Sequence, residues 1–567
     1  MAENKTESQQ SLEDKEQFTA SMSDDDLKNQ IDVWSRESQS VYSALIPIWE
    51  QNLQYYHGVQ TGVELIGGRQ SKAVENRIFM ATETMIPIAT SRLPDIEVRS
   101  GAEDEQSQID AGELQDILGF HMERLRIQAL AERFLRYMIV LRYGVFKVDW
   151  DSDQDDVDLR VIDPRRIRIP KFGRTVNELK FVLEDLELTY DQLVDFFGKD
   201  KAEKVRAEGV KKGVYSDDTA TVTDETGQEK RQIRKATFAV REVWTNDFVV
   251  WRAGSIILDK KENPFYNFKN KKKNFFEQPR KPYIIKSLFE TSESLIGDTD
   301  YIQQMISVQD NINNRKRQIE NIIGKVANPP LLIDSDVMSE EQASSITNEE
   351  GLIIYGKDAA SGTKIRFEAP GQVPNYVFLD LEGSRTQFDN IWGIHSTTRG
   401  EREGRETLGG RQLLRAADLG RIDLVARQLE RALDEVGEWF TQLIKLFYTE
   451  KKSFSISGED GTTFINNFTN KKVGEGVKPR LVAGSTLPKD EITQRQEAIQ
   501  LWQLQAIGIR TLYKRLKMSN IPDAVDDFIN TKSGAIFQQG GGGMGGGMGG
   551  QGFPPQAPPQ QPLRPQI

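Results

Sequence analysis

The order of elements between Leu295 and Phe447 constrains the fold more than any single motif does. Ser294 to Ile323 carries Leu295, Ile302, Met305, Ile306, Gln309, Ile312, Ile319 and Ile323 near helical spacing. The result is a narrow apolar stripe on a helix whose other face is rich in Asn and Gln. A narrow stripe suits packing beside copies of itself in a ring better than burial in a globular core. Taken alone, it also fits an ordinary surface helix. Gly324 ends the helix and Pro329-Pro330 prevents its resumption.

Leu331-Leu332-Ile333 follows, then Ser339 to Ser345 as a short helix, and Gly351 to Tyr355 and Thr363 to Phe367 as two strands. Asp334, Asp336, Glu340, Glu341, Glu349 and Glu350 fall in a stretch without Lys or Arg, which by itself reads as a solvated acidic face. Pro374 restarts the chain into a second helix, Phe378 to Ile394, with Leu381, Phe388, Ile391 and Trp392. The stretch from Thr397 to Arg411 then interleaves Arg399, Arg402, Arg405 and Arg411 with Glu401, Glu403 and Glu406 and with Gly400, Gly404, Gly409 and Gly410. Glycines that break regular structure among alternating charges suit a mobile loop. Without context, a salt-bridged surface loop is the favoured reading. Asp418 opens the strongest helix, with Ile422, Val425, Leu429, Leu433, Val436, Phe440, Leu443 and Phe447 on one face.

The remainder is mixed. Asp24-Asp25-Asp26 opens a helix running toward Tyr56, where acidic residues meet the positive end of the helix dipole. Val74 to Ile88 reads as a helix ended near Pro87, and Leu93 to Arg99 as a short strand. Glu105 to Tyr143 reads as one long helix stopped by Gly144, and Val145 to Trp150 and Leu159 to Ile169 alternate as strands. Residues 213–232 read as an exposed hairpin or loop, Phe238 to Ile257 as two strands, and Ser453 to Ile456 with Thr463 to Ile465 as a hairpin. Asp490 to Lys517 and Pro522 to Ile529 are helical patterns. The fold class is therefore α+β and helix-rich. Residues 1–25 and the Gly-, Gln- and Pro-rich tail read as disordered.

Composition narrows the function. The 567 residues carry a formal charge of −12, so the chain is no basic DNA-coating protein, and any contact with nucleic acid is local or weak. The absence of cysteine excludes disulfides, thiolate zinc sites and cysteine nucleophiles. No stretch approaches the roughly 20 apolar residues of a membrane helix, and no signal-peptide core follows Met1, so no membrane role and synthesis in the cytoplasm are expected. An enzyme is disfavoured: the Gly-Lys pairs at 198–199, 324–325 and 356–357 lack the hydroxyl of a phosphate loop. There is no Gly-x-Ser-x-Gly elbow. His57, His121 and His395 read as structural, and no metal or cofactor is expected.

Two other readings remain. Lys269, Lys271, Lys272 and Lys273 beside Phe275, Phe276, Arg280 and Lys281 fit a nucleic-acid-binding module, although a solvated loop explains them more simply. The other is a scaffold or adaptor component of a larger assembly.

The ordered set of helix, interrupted segment, helix, Arg/Glu/Gly loop, long helix, strands and final helices resembles the portal proteins of tailed bacteriophages. The stretch Gln309-Asp310-Asn311-Ile312-Asn313 followed by Ala327-Asn328-Pro329-Pro330 looks like that family's approach to its clip. The resemblance covers about residues 40–530. It implies a portal fold divided into a wing (26–285), a first stem helix (286–325), a clip (326–374), a second stem helix (375–397), a tunnel loop (398–415), a long helix with further wing strands (416–487) and crown helices (488–535). The tail, 536–567, follows. It implies a homo-oligomeric ring of twelve subunits at one capsid vertex. Double-stranded DNA would pass through it, and its partners would be the terminase large subunit, the major capsid protein and scaffold, and a tail adaptor.

On the same resemblance Gln309, Asn313, Arg315 and Arg317 belong to the channel-lining stem. Asp334, Asp336, Glu340, Glu341, Glu349 and Glu350 dock partners. Arg399, Glu401, Arg402, Glu403, Gly404, Arg405, Gly409 and Arg411 form the loop that touches DNA. Interleaved Glu and Arg would keep that contact weak, since each neutralised phosphate adds affinity around a ring. The short Gly-rich end departs from portals that carry a long C-terminal helical barrel.

Overall fold

The computed structural model describes residues 22–60, 71–91, 96–211, 219–223, 229–233, 237–327, 331–333, 339–341, 365–367, 374–395, 398, 408–457, 463–474, 477–481, 498–504, 506–516, 525 and 528. They fall into two compact units, one of residues 1–456 with 465–488, the other of 457–464 with 489–567.

The first unit is a mixed helix-and-sheet body. Its first helix, Asp24–Tyr56, starts where the Ser23 side chain accepts the Asp26 N–H and three aspartates crowd the first turn. Pro87 does not end the next helix, Arg77–Thr90, but lies inside its last turn. Glu105 to Tyr143 is two helices, not one. Glu105–Arg124 stops, Arg126 takes a left-handed backbone (φ 50°), and Ile127–Val140 follows as a separate helix. Gly144 lies inside the following strand, where a Cβ would come within 2.8 Å of the Phe134 ring. Phe134 in turn stacks on Phe146 at 4.3 Å.

The strands β1 (Ile96–Arg99), β2 (Tyr143–Asp151), β3 (Asp156–Ile162), β4 (Ile167–Arg168), β5 (Val182–Thr189), β6 (Thr219–Thr223), β7 (Glu229–Ile233), β8 (Thr237–Trp244), β9 (Phe248–Ala253), β10 (Ile256–Glu262) and β11 (Tyr283–Ser287) make most of the sheet structure. One sheet has the order β11-β2-β3 and a second β10-β9-β8-β5-β4, while β6 and β7 form a separate hairpin. Where the two main sheets meet, Lys147 is fully buried and donates to Glu184 and Glu242 at 2.8 Å each. Burial opposes its charge, but Glu242 and Glu184 outweigh that and move its pKa up.

The long helix, Leu408–Phe447, packs this body together. Ile422, Val425, Leu429, Leu433, Val436, Phe440 and Leu443 are all buried, as their spacing predicts. The helix starts at Leu408, so Asp418 is internal to it rather than its cap, and Gly409 and Arg411 are helical rather than part of a loop. Beyond it, β14 (Lys452–Ser457) pairs with β15 (Thr463–Phe468), and β16 (Lys478–Leu481) pairs antiparallel with β1 nearly 400 residues earlier in the chain. In the second unit 498–503 is helical, Ile509–Arg515 forms another helix, and Trp502 packs edge-on against Phe528. Among the described residues the Asp490–Lys517 pattern shows as these two helical pieces, and the Pro522–Ile529 pattern lies outside the described residues except at 525 and 528.

Candidate functional site

The central constellation is an antiparallel helix pair. Its first member is Tyr301–Ala327, seven residues later in its start than the sequence pattern suggests, and it runs through Gly324. Leu295 and Ile296 are buried from an irregular segment, fixed by Asp298, whose carboxylate accepts from Thr291 and Ser292. The true start is marked by Asp300, which accepts the Gln303 N–H at 2.7 Å. The second member is Asn375–Trp392, closed by Gly393 in a left-handed conformation (φ 83°). Beyond the first helix, β12 (Leu331–Ile333) pairs antiparallel with β13 (Ile365–Phe367), so the stretch between the two helices begins and ends in one small sheet.

Direct contacts hold the two helices in register. Tyr301 stacks on Trp392 with ring centres 5.0 Å apart, Asn311 donates to the Ser384 hydroxyl at 2.8 Å, and Arg315 pairs with Asp380 at 2.5 Å. Val377, Leu381 and Phe388 are buried as the pattern of the second helix requires.

The polar residues of the first helix do something the sequence reading missed. Gln309, Asn313, Arg317 and Asn321 recur every four residues and so lie along one face. That face binds the main chain of residues 71–77. Gln309 donates to the Glu75 carbonyl at 2.7 Å and accepts from the Arg77 N–H at 3.2 Å. Asn313 accepts from the Glu75 N–H at 3.0 Å and donates to the Gln60 side chain at 2.6 Å. Arg317 donates to the carbonyls of Ala73 and Gln60 at 3.0 and 2.8 Å, and Asn321 accepts from the Ser71 N–H at 2.7 Å.

Gln309, Asn313 and Arg317 are consequently buried, at 0%, 1% and 8% exposure. They face a strap within the same chain rather than a solvent channel. Arg315, the fourth predicted stem residue, is partly exposed and bound to the second helix. The i, i+4, i+8, i+12 spacing was legible, but its partner lies more than 200 residues away.

The strap also ties the two helices to each other. Arg385 of the second helix grips Glu75 through Nε at 2.9 Å and Nη2 at 2.5 Å, Lys316 of the first lies 3.9 Å away, and Arg77 reaches Asp389 at 2.7 Å. Burial would raise the Glu75 carboxyl, but Arg385, Lys316 and Arg77 together hold it below its usual range.

Past Gly393 the chain turns onto the long helix. Asp418, 1% exposed, accepts from the His395 N–H at 2.9 Å and the Thr398 hydroxyl at 2.5 Å, and lies 2.6 Å from His395 Nδ1. Because the Thr398 hydroxyl donates to Asp418 and not to His395, these three residues do not form a nucleophile–base pair. Arg399, Glu401, Arg402, Glu403, Gly404 and Arg405 lie outside the described residues, as do Asp334, Asp336, Glu349 and Glu350. Glu340 and Glu341 are exposed.

The basic segment before β11 does not form a base-stacking platform. Lys271–Lys273 is an exposed turn, but Phe276 is buried beneath the Arg280 guanidinium (4.0 Å) and against Trp439. Lys281 is also buried and donates to the Val176 carbonyl and Asn246. Among the described residues no group of His, Asp and Glu has the arrangement of a metal site, and no helix is long and apolar enough to cross a membrane.

No curated protein matches the chain. The profile of the phage P22-like portal protein family matches residues 201–496, just over half of the chain and a span that includes the helix pair, the intervening strands and the long helix. The chain belongs to that family of bacteriophage portal proteins, structural components of the virion.

Proposed function

We propose that the protein assembles into a closed ring at one capsid vertex, that DNA passes through the ring during packaging and ejection, and that the ring docks first the terminase motor and later the tail adaptor. The observation that carries this reading is the helix pair Tyr301–Ala327 and Asn375–Trp392, joined through a small sheet at one end and tied to a long helix at the other, inside the family match. In this reading the pair forms the stem, and the strands Leu331–Ile333 and Ile365–Phe367, with the acidic residues between them, belong to the clip. The Arg- and Glu-rich segment before Leu408 touches the DNA.

The ladder of Gln309, Asn313 and Arg317 reassigns the stem's surfaces. These residues hold the protomer together, and the channel wall falls to the exposed positions of the same helices. Exposed apolar residues on the pair, Ile323, Val326, Tyr376 and Leu379, supply surface for a neighbouring subunit.

Deleting residues 399–407 tests the loop assignment. Rings should still form, while heads retain or package less DNA. Normal DNA-filled heads from that deletion would refute it.

A further inference from the structure

We infer that the loop of residues 267–274 is a binding site for duplex DNA, which it holds by the phosphate backbone and without regard to base sequence. The loop lies between β10 and β11, and it does not depend on the Arg- and Glu-rich segment before Leu408. Residues 263–281 carry Lys269, Lys271, Lys272, Lys273, Arg280 and Lys281 against the single carboxylate of Glu277, in a chain whose formal charge is −12. Lys269 and Lys271–Lys273 are all exposed, and none of their side chains is in an ion pair among the described residues.

The main chain beneath these lysines is fixed. The Asn267 N–H donates to Asn274 Oδ1 at 2.7 Å, and Asn274 Nδ2 donates back to the carbonyls of Asn267 and Lys271 at 3.0 and 3.2 Å. Asn267 Oδ1 accepts the Asn270 N–H at 2.9 Å, and Asn270 Oδ1 accepts the Lys272 N–H at 3.2 Å. Gln442, buried in the long helix, anchors the base. Its amide donates to the Phe265 carbonyl and to Asn274 Oδ1, and it accepts the N–H groups of Phe275 and Phe276 at 2.6 and 3.0 Å. Four like charges within five residues repel one another, and a loose loop would let them spread. The fixed main chain keeps them together, so a polyanion relieves the repulsion and meets a surface that needs little further ordering.

The residue types name the ligand. Lysine is a compact point charge without the planar fork with which arginine reads base edges, so it suits phosphates. The nearby rings are engaged elsewhere. Tyr266 is buried with its hydroxyl on the Glu277 carbonyl at 2.9 Å, Phe268 packs edge-on against Tyr266, and Phe276 lies beneath Arg280. A single strand needs rings to stack on. A duplex needs only the row of charge, about one phosphate per 1.7 Å of its axis.

The test is salt-dependent binding of the full-length protein to a duplex of about 30 base pairs, followed by fluorescence anisotropy. Each phosphate contact contributes a slope of about −0.9 to the logarithm of affinity against the logarithm of salt. Replacing all four lysines by glutamine should therefore flatten the slope by about 3.6, equal to a share of affinity that falls about 150-fold between about 50 and 200 mM salt. Replacing them by arginine should keep the wild-type slope, and two unrelated duplex sequences should bind alike. An unchanged slope in the glutamine variant would overturn the inference. So would tighter binding of a single strand than of the duplex. A poly-glutamate peptide of equal charge that binds at least as tightly would overturn it in favour of an acidic protein partner. Deleting residues 399–407 separates the two DNA contacts. The difference between the lysine and glutamine forms should persist in that background, and its disappearance would refute the loop as a site of its own.

Discussion

Asn313 and Asn314 are adjacent in the helix Tyr301–Ala327, yet the structure assigns them opposite fates. Asn313 is 1% exposed, and its amide satisfies the Glu75 N–H at 3.0 Å and the Gln60 Oε1 at 2.6 Å. Asn314 is exposed. N313A leaves one main-chain donor and one buried side-chain acceptor without partners. At about 1–2 kcal/mol for each orphaned group, the strap should loosen by about 2–4 kcal/mol. N314A should change stability by less than about 0.5 kcal/mol. Hydrogen exchange of the Glu75 amide reads the difference directly. When exchange follows local opening, 2–4 kcal/mol corresponds to roughly 30- to 700-fold faster exchange in N313A. If Asn313 instead faced a channel, the two variants would behave alike. Equal exchange at Glu75 in N313A and N314A would refute the strap.

Two further perturbations test buried groups. His121 is fully buried, and its Nδ1 has no hydrogen-bond partner among the described residues, while Nε2 lies 3.0 Å from the Tyr448 hydroxyl, which itself donates to Asp156. Burial lowers its pKa from 6.5 to about 4, so below pH 6.5 the unfolded chain takes up a proton that the folded one refuses. Its contribution is complete above pH 6.5 and falls by about 3 kcal/mol as the pH drops to 4. Unfolding curves of wild type and H121Q should therefore converge over that window, and curves that stay parallel would contradict the assignment. At the junction of the main sheets, K147M strands the carboxylates of Glu184 and Glu242, which are 2% and 7% exposed at the side chain. A loss of about 3–5 kcal/mol is expected in denaturant titration, and a loss under 1 kcal/mol would mean that water reaches the cluster.

The sequence made some of this readable and hid the rest for physical reasons. The long helix was legible because its apolar stripe is regular and its core contacts follow that stripe. The strand β2 was legible by alternation, and β8 as a strand-like run ended by Thr245-Asn246-Asp247. Helix limits were less so. Leu295 continues the apolar pattern of the helix Tyr301–Ala327, but it is buried from an irregular segment, and the helix waits for the Asp300 cap. Arg126 breaks a continuous pattern by adopting a left-handed backbone, which composition does not announce. Asp418 looked like an N-cap because Asp is favoured there, yet its role is to receive His395 and Thr398. The polar face of the helix Tyr301–Ala327 suggested solvent because Gln, Asn and Arg are usually exposed. Only the distant segment 71–77 explains why they are buried.

The central claim is that these protomers form a closed ring around a channel. Electron microscopy of the purified full-length protein across rising concentration tests it most directly. The account predicts closed rings with a central hole and a narrow projecting stalk formed by the helix pair. Compact closed dimers or open filaments would contradict it.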